Sequence, residues 1–308
     1  MSGRQSMNAT PAGSRQRRID RVAYLFLAPF LALFLVFTVL PIVLAAYDSL
    51  FTVRYSGLGL GGGTLRFVGL DNYATALTSP DLLLGVLRMT AFGLVQVPVM
   101  LGIALALALV FDAVTSRLYS VLRTVYLLPY AVPIVIGTLA WGFLYTPRTS
   151  PLSGAVAALG GPNDLFDDSI VLWSMGNVVT WSYIGINMTI LYTSLRGLPR
   201  DTYEAARLDG AGELRIAWSV KTPQLLPALI MTTVMSIIGT LQIFTEPTIL
   251  RNLTPTISST YTPNMTIRTI AIGQQNPQLA AATAIVLAAV IFVLSFGFLA
   301  LVRRRSTP

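Results

Sequence analysis

The sequence predicts an all-α membrane protein with six transmembrane helices. Three observations support this: a low content of charged residues, six long uncharged runs and an uneven distribution of basic residues. Charged residues make up only 11% of the 308 residues, and hydrophobic residues make up 54%. Soluble domains carry about 25% charged residues. A chain this poor in charge lacks the polar surface that a soluble globule of its size needs.

Six stretches contain no Asp, Glu, Lys or Arg, and each is long enough to cross a membrane. A helix needs roughly 20 residues to span about 30 Å of hydrocarbon. The first stretch follows several arginines, as a cleaved signal peptide would, but it exceeds the roughly 7–15 residues of a signal h-region. The six predicted spans are residues 22–47, 89–111, 125–145, 170–195, 225–244 and 279–302.

Basic residues lie mainly on one side of the membrane if the N-terminus is cytoplasmic. That topology places 15 of the 21 basic residues inside, against six of the 13 acids. The positive-inside rule therefore predicts cytoplasmic termini in a multi-pass membrane protein. The sequence pI of about 10.0 then reflects topology and contact with anionic membrane lipid. No Lys/Arg stripe with interleaved aromatics indicates nucleic acid.

The domain organisation is simple. A transmembrane domain is predicted over 22–302, between a disordered cytoplasmic tail at 1–21 and a short cytoplasmic tail at 303–308. Between the fourth and fifth spans lies a cytoplasmic loop of 29 residues, 196–224, which is neither low-complexity nor disordered in composition. No strong internal repeat is visible, which disfavours an inverted-repeat carrier.

Residue types that are absent exclude several kinds of chemistry. The chain has no Cys and no His, which excludes disulfides, thiol nucleophiles, histidine bases and zinc sites of the usual kind. Asp164, Asp167 and Asp168 form the one cluster of acids, which we interpret as a solvated loop rather than a weak cation site. With no catalytic constellation and no metal site, we expect the chain not to be an enzyme. A secondary transporter is one alternative for a multi-pass membrane protein, although no predicted span carries an internal acid for a coupling ion.

The 196–224 loop predicts a helix–turn–helix. Asp201 is a suitable N-cap, and Glu204 can complete a capping box three residues later. Gly210 can take the left-handed conformation that ends such a helix. A second helix is predicted over 213–220, stopping at Pro223. An amphipathic loop that lies on the membrane surface is the simpler alternative.

The spacing within this loop is more specific. Glu-Ala-Ala at 204–206 is followed by three residues and Gly210, then by nine residues and Val-Lys-Thr-Pro at 220–223. This resembles the EAA loop of bacterial ATP-binding-cassette (ABC) importer permeases: Glu-Ala-Ala, three residues, Gly, nine residues and Ile-x-Leu-Pro. The sequence departs from that pattern with Val220 in place of Ile and Thr222 in place of Leu.

The resemblance implies a MetI-like permease fold and a mechanical role for the loop. Its first helix would seat in a groove on a cytoplasmic ATPase, whose closure rocks the attached spans. The residues implied in this coupling are Glu204, Ala205, Ala206, Asp209, Gly210 and Pro223. The chain has no Gly-x-x-x-x-Gly-Lys-Ser/Thr phosphate loop, so we expect it to bind no cofactor, with ATP and Mg²⁺ on the ATPase. The implied partners are a second, related permease subunit, two ATPase subunits and an extracytoplasmic solute-binding protein.

Three further segments indicate the cargo. Residues 67–73 contain Gly-Leu-x-Asn-Tyr, residues 123–133 read Arg-Thr-Val-Tyr-Leu-Leu-Pro-Tyr-Ala-Val-Pro, and residues 239–250 include Leu-Gln-Ile-Phe. All three resemble segments of maltose-type sugar permeases. Those permeases often continue with Thr-Gly-Gly-Gly-Pro, whereas residues 251–255 here read Arg-Asn-Leu-Thr-Pro. The resemblance implies sugar import, with import of a non-sugar solute as the alternative.

Polar and aromatic side chains within the spans are candidates for the substrate pathway, because they are costly at mid-membrane depth unless they face a cavity or a neighbour. Ser236 and Thr240 stand four residues apart and so share a helix face. Helix–helix packing is the simpler explanation for any single one of these residues. The candidates are Tyr130, Ser182, Tyr183, Ser236, Thr240 and Gln242.

Two other features lie near these candidates. Pro129 and Pro133 interrupt the third predicted span and predict a kink in it, because proline removes a backbone donor and crowds the preceding turn. Glu246 follows the fifth predicted span on the outer side. It is interpreted either as an acid at the mouth of a cavity or as an interfacial residue.

Overall fold

The computed structural model describes residues 24–54, 63–114, 116–146, 150–199 and 201–306, and the side chains as far as residue 302. The predicted disordered tail at 1–21 lies outside the described residues. So do residues 307 and 308 of the predicted C-terminal tail.

The described chain is a bundle of helices with a single two-stranded hairpin. The helices are α1 (Tyr24–Asp48), α2 (Asp71–Thr78), α3 (Pro80–Ala113), α4 (Arg117–Ala131), α5 (Ile134–Tyr145), α6 (Ser153–Ala158), α7 (Val171–Arg196), α8 (Asp201–Leu208), α9 (Glu213–Ile216), α10 (Thr222–Gln224), α11 (Leu226–Leu241), α12 (Thr245–Leu250), α13 (Pro263–Arg268) and α14 (Pro277–Ser306). Strands β1 (Phe51–Arg54) and β2 (Thr64–Phe67) pair antiparallel. π-Helical turns occur at Leu35–Val39, Ala217–Lys221 and Thr269–Gly273.

Length and composition make several of the described helices suitable for crossing a membrane. Four candidates meet both conditions: α1, α3, the combined α11–α12 segment Leu226–Leu250, and α14 over Pro277–Val302. The bent pair α4 and α5 would make a fifth if it forms one span. The prediction of a multi-pass helical membrane protein is therefore confirmed, while the count of six spans stays a prediction.

Helix α7 corresponds to the predicted fourth span, and it is the central helix of the bundle. It has 26 residues, which makes it about 39 Å long. It is nevertheless not among the four candidate spans, because its composition is less apolar than theirs. Its lower apolar content reflects its central location, since α7 contacts α3, α4, α5 and α11. A helix surrounded by protein can carry Ser, Thr and Asn where neighbouring helices satisfy them.

Helices α3 and α7 form the core of the bundle. Met89 and Phe92 of α3 pack with Met175 of α7 in one buried cluster, and Ala104 packs with Met188 in a second one. The buried amide of Gln96 on α3 donates to the Gly176 carbonyl of α7 over 3.0 Å, and it also contacts the Thr180 hydroxyl. Apolar packing and a satisfied polar contact thus hold the same two helices together.

The third predicted span is broken rather than kinked. Helices α4 and α5 are bent by 97° relative to each other, and the break lies at Val132 and Pro133. Val132 is extended (φ −75°, ψ 129°), and Pro133 caps the start of α5. Proline disfavours helical conformation at the residue before it, which accounts for the position of the break. Pro129 lies inside α4 without ending it.

The Gly-Leu-x-Asn-Tyr segment has a structural role. The buried Asn72 amide donates to the backbone carbonyls of Ser49 and Phe51 over 2.8 and 2.7 Å. The Tyr73 hydroxyl lies 2.6 Å from the Ser49 hydroxyl. These bonds satisfy the backbone where α1 ends and β1 begins, so the segment fixes α2 against the C-terminal end of α1.

Candidate functional site

A cavity of about 410 Å³ lies between α4–α5, α7 and α11–α12. Five of the six substrate-pathway candidates line it: Tyr130, Tyr183, Ser236, Thr240 and Gln242. The sixth, Ser182, lines an adjoining pocket of about 340 Å³ beside the α4–α5 break, which Tyr130 and Tyr183 also line. The buried Ser182 hydroxyl has no hydrogen-bond partner among the described residues. Five candidates from three predicted spans therefore share one space.

The break between α4 and α5 positions the aromatic part of this cavity. Tyr130 is the penultimate residue of α4, directly before the break between α4 and α5. Its ring lies edge-on to that of Tyr183 on α7, with ring centroids 6.2 Å apart and an interplanar angle of 64°. Both rings are partly exposed. A pair of exposed aromatic rings offers apolar faces together with polar hydroxyls.

Another wall of the cavity contains a second helix break, which lies between α11 and α12. Helix α11 ends at Leu241, before the predicted end of the span at 244, and α12 resumes at Thr245. The freed carbonyls of Gln242 and Ile243 accept bonds from Asn264 (2.7 Å) and Thr262 (3.1 Å). Irregular backbone at membrane depth is tolerated where protein buries it or a cavity borders it. Both conditions hold here.

The sequence does not identify Asn187 as a cavity residue, and it leaves two interpretations of Glu246 open. Asn187 lies one turn after Tyr183 on α7, and its amide donates to the Tyr183 carbonyl over 3.0 Å. The i, i+4 spacing from Tyr183 places both residues on one face, so this signal could have found it. Glu246 is not an interfacial residue, because it is buried and lines the cavity.

The 196–224 loop contains the predicted helix–turn–helix. Helix α8 begins at Asp201, with Glu204 exposed in its first turn. Gly210 has the predicted left-handed conformation, with φ +80°. The Ala211 N–H donates to the Ala206 carbonyl over 3.0 Å, which is the long bond of a Schellman motif. The turn after α8 therefore depends on the conformation of Gly210.

The prediction that the second helix stops at Pro223 is wrong. Helix α9 continues through the π turn Ala217–Lys221 into α10, and Pro223 lies in the first turn of α10. The Thr222 N–H donates to the Ala217 carbonyl, five residues earlier. Proline is tolerated in a first turn, since its missing donor is not needed there. The wide π turn places Pro223 in such a position.

Two ion pairs hold the loop. On the exposed side, Arg207 and Glu213 lie 2.8 Å apart. Their hydrogen bond lowers the pKa of Glu213 and raises the pKa of Arg207, because each charge stabilises the other. On the buried side, Lys221 Nζ lies 2.7 Å from the Asp112 carboxylate at the end of α3. The Lys221 ammonium also lies 5.1 Å from the ring centroid of Tyr203 on α8.

The acids of the 146–169 loop organise turns. Asp164 accepts the Phe166 N–H over 2.8 Å, and Asp167 accepts the N–H and hydroxyl of Ser169. Those bonds from Ser169 lower the pKa of Asp167, because they stabilise the charged carboxylate. No group of three or more Asp and Glu residues in the described part of the chain is arranged to hold a metal ion.

Comparison with known proteins identifies what this arrangement resembles. The family model described as "Binding-protein-dependent transport system inner membrane component" matches residues 98–307. The lactose transport system permease protein LacF of Rhizobium radiobacter is 31% identical over 250 residues, 78% of this chain and 79% of that protein. The diacetylchitobiose uptake system permease protein NgcF of Streptomyces coelicolor is 28% identical over 303 residues, 91% and 84% of the two chains.

A solved structure shows the same fold. A chain in the crystal structure of a bacterial ABC transporter involved in the import of the acidic polysaccharide alginate superposes with a TM-score of 0.76. The match covers 95% of this chain and 99% of that one, at 18% sequence identity.

Proposed function

Because the chain belongs to the family of binding-protein-dependent transport system inner membrane components, we propose that it is the permease subunit of an ATP-driven importer of carbohydrates. The observation that carries this is the family match over 98–307, which includes both the cavity and the cytoplasmic loop. It is a transport subunit and not an enzyme. Relatives named for lactose and diacetylchitobiose support a sugar as the cargo, and the bacterial plasma membrane is its proposed location.

The cavity forms this chain's half of the translocation pathway. Tyr130 and Tyr183 present ring faces to the C–H faces of a sugar, while the amides and hydroxyls of the lining exchange hydrogen bonds with its hydroxyl groups. A second, related permease subunit supplies the other half. An extracytoplasmic solute-binding protein delivers the sugar from the outer side.

The cytoplasmic loop transmits the motion of the ATPase. Leu208 is 90% exposed and Leu214 is 75% exposed on the two loop helices. Apolar side chains exposed together on a water-facing segment indicate a protein contact. Two ATPase subunits, which hold ATP and Mg²⁺, bind at this surface and at Glu204. Their closure moves α8, and the attached spans alternate between inward-open and outward-open states.

Reconstitution tests the proposed function directly. We expect the chain to co-purify with an ATPase and a second permease. In vesicles, the complex and its binding protein should take up sugar only when ATP is hydrolysable. Uptake that persists without any ATPase subunit would contradict the proposal and favour a secondary transporter.

A matched pair of glycine variants tests the coupling loop. Gly210→Val is expected to reduce sugar uptake and ATPase association several-fold, because a β-branched residue is strained at φ +80°. Gly212→Val is the control: Gly212 has an ordinary φ of −69°. A Cβ at either position meets nothing within 4 Å, so the two variants differ chiefly in backbone strain. Equal uptake by both variants would show that the turn is not part of the coupling.

A further inference from the structure

Glu246 is held rigidly in the wall of the cavity. It is the second residue of α12, is only 5% exposed, and has the buried residues Pro247 and Leu250 on the same short helix. Helix α12 packs against α5 and α7. Because the α11–α12 break fixes the start of this helix, the carboxyl group stays at the cavity.

The protein does not neutralise this carboxyl group. The ion pairs in the described part of the chain are Lys221–Asp112 and Arg207–Glu213, and neither includes Glu246. None of the described residues that line the cavity is Lys or Arg, and Glu246 is the single acid among them. A buried carboxyl group that no cation neutralises is costly. An ionisable residue within a candidate membrane span, here Leu226–Leu250, faces a pathway or a partner.

The chemistry of such a lining suits one class of sugar. A carboxyl group accepts hydrogen bonds from sugar hydroxyls, and its ionised form can accept several at once. The other polar lining groups, such as Asn187, Ser236 and Gln242, are uncharged donors and acceptors. An anionic sugar would bring a second acid into a partly desolvated space that offers it no cation.

We propose that Glu246 makes this half of the pathway selective for uncharged, hydroxyl-rich sugars and against sugars that carry a carboxylate. The inference rests on the proposed function, because it assigns a substrate class to the same cavity. The solved structure with this fold is described as an importer of an acidic polysaccharide. At 18% identity the likeness concerns the fold alone, so the charge of the lining indicates the cargo where the fold does not.

Digalacturonate and its dimethyl ester are suitable probes, because they share their rings and differ in charge. Their affinities for the purified complex in lipid nanodiscs, without binding protein, are measured by saturation-transfer NMR. We expect wild type to bind the ester at least about tenfold more tightly than the free acid. Glu246→Gln should reduce this preference several-fold. Asp71→Asn, at an exposed acid on α2, should leave the preference unchanged.

The outcomes separate this inference from the function on which it rests. If wild type binds the free acid as tightly as the ester, or if Glu246→Gln leaves the preference intact, Glu246 does not select the cargo. ATP-driven sugar uptake would then still support the importer. If the complex neither binds these probes nor takes up any sugar, both proposals fail together. Recovery of each variant as an intact complex by size-exclusion chromatography shows that the comparison concerns folded protein.

Discussion

Replacement of Lys221 by methionine is expected to destabilise the permease by about 3–5 kcal/mol, because it leaves the Asp112 carboxylate buried without its counter-charge. The Lys221 and Asp112 side chains are only 6% and 11% exposed, and their charged atoms lie 2.7 Å apart. Lys221 is the sole lysine in the chain, so no neighbouring lysine can replace it. The loss should be measured as a fall in the thermal unfolding temperature of the purified complex.

Two controls identify the pair as the cause. The double variant Lys221→Met with Asp112→Leu should recover most of the lost stability, since apolar residues of similar size replace a buried ion pair with little loss. Arg207→Ala breaks the exposed pair with Glu213 and should change the unfolding temperature little. If the double variant is as unstable as the single one, the loss comes from packing around Lys221 and not from the unpaired charge.

Most of the long helices could be predicted from the sequence, because the formation of a span depends on local properties. A run of 20 or more apolar residues satisfies its own backbone bonds as a helix. The left-handed turn at Gly210 was likewise predictable, because glycine favours it without outside help. The same holds for the five cavity residues, since polar groups in a predicted span must face a neighbour or a cavity.

Features that depend on distant residues were not predictable. The α11–α12 break is stabilised by Thr262 and Asn264, which follow the freed carbonyls by 19 and 22 residues. The Lys221–Asp112 pair joins residues 109 positions apart, and no local pattern connects them. Ser182 lines the smaller pocket beside the α4–α5 break and not the larger cavity, because adjacent residues on a helix point in directions about 100° apart.

The second large effect is expected at Gly185, where α7 meets α4. A Cβ added there would lie 1.9 Å from the Tyr126 carbonyl oxygen and 2.9 Å from the Leu127 Cα. Both are backbone atoms, so no side-chain rotation can relieve the clash. Small residues allow such close approach of helices within membranes. Gly185→Ala is therefore expected to cost at least about 3 kcal/mol, measured as a lower unfolding temperature or failure of the complex to assemble.

The same substitution should also weaken sugar binding, because α4 carries Tyr130 at its far end and α7 carries Tyr183. Moving the two helices apart separates these rings from their 6.2 Å contact and widens the cavity between them. Gly102→Ala is the matched control: Gly102 lies within α3, and a Cβ there meets nothing within 4 Å. It should be neutral or slightly stabilising, since alanine favours helix over glycine by about 1 kcal/mol. Equal unfolding temperatures for the two variants would show that α4 and α7 do not pack backbone to backbone.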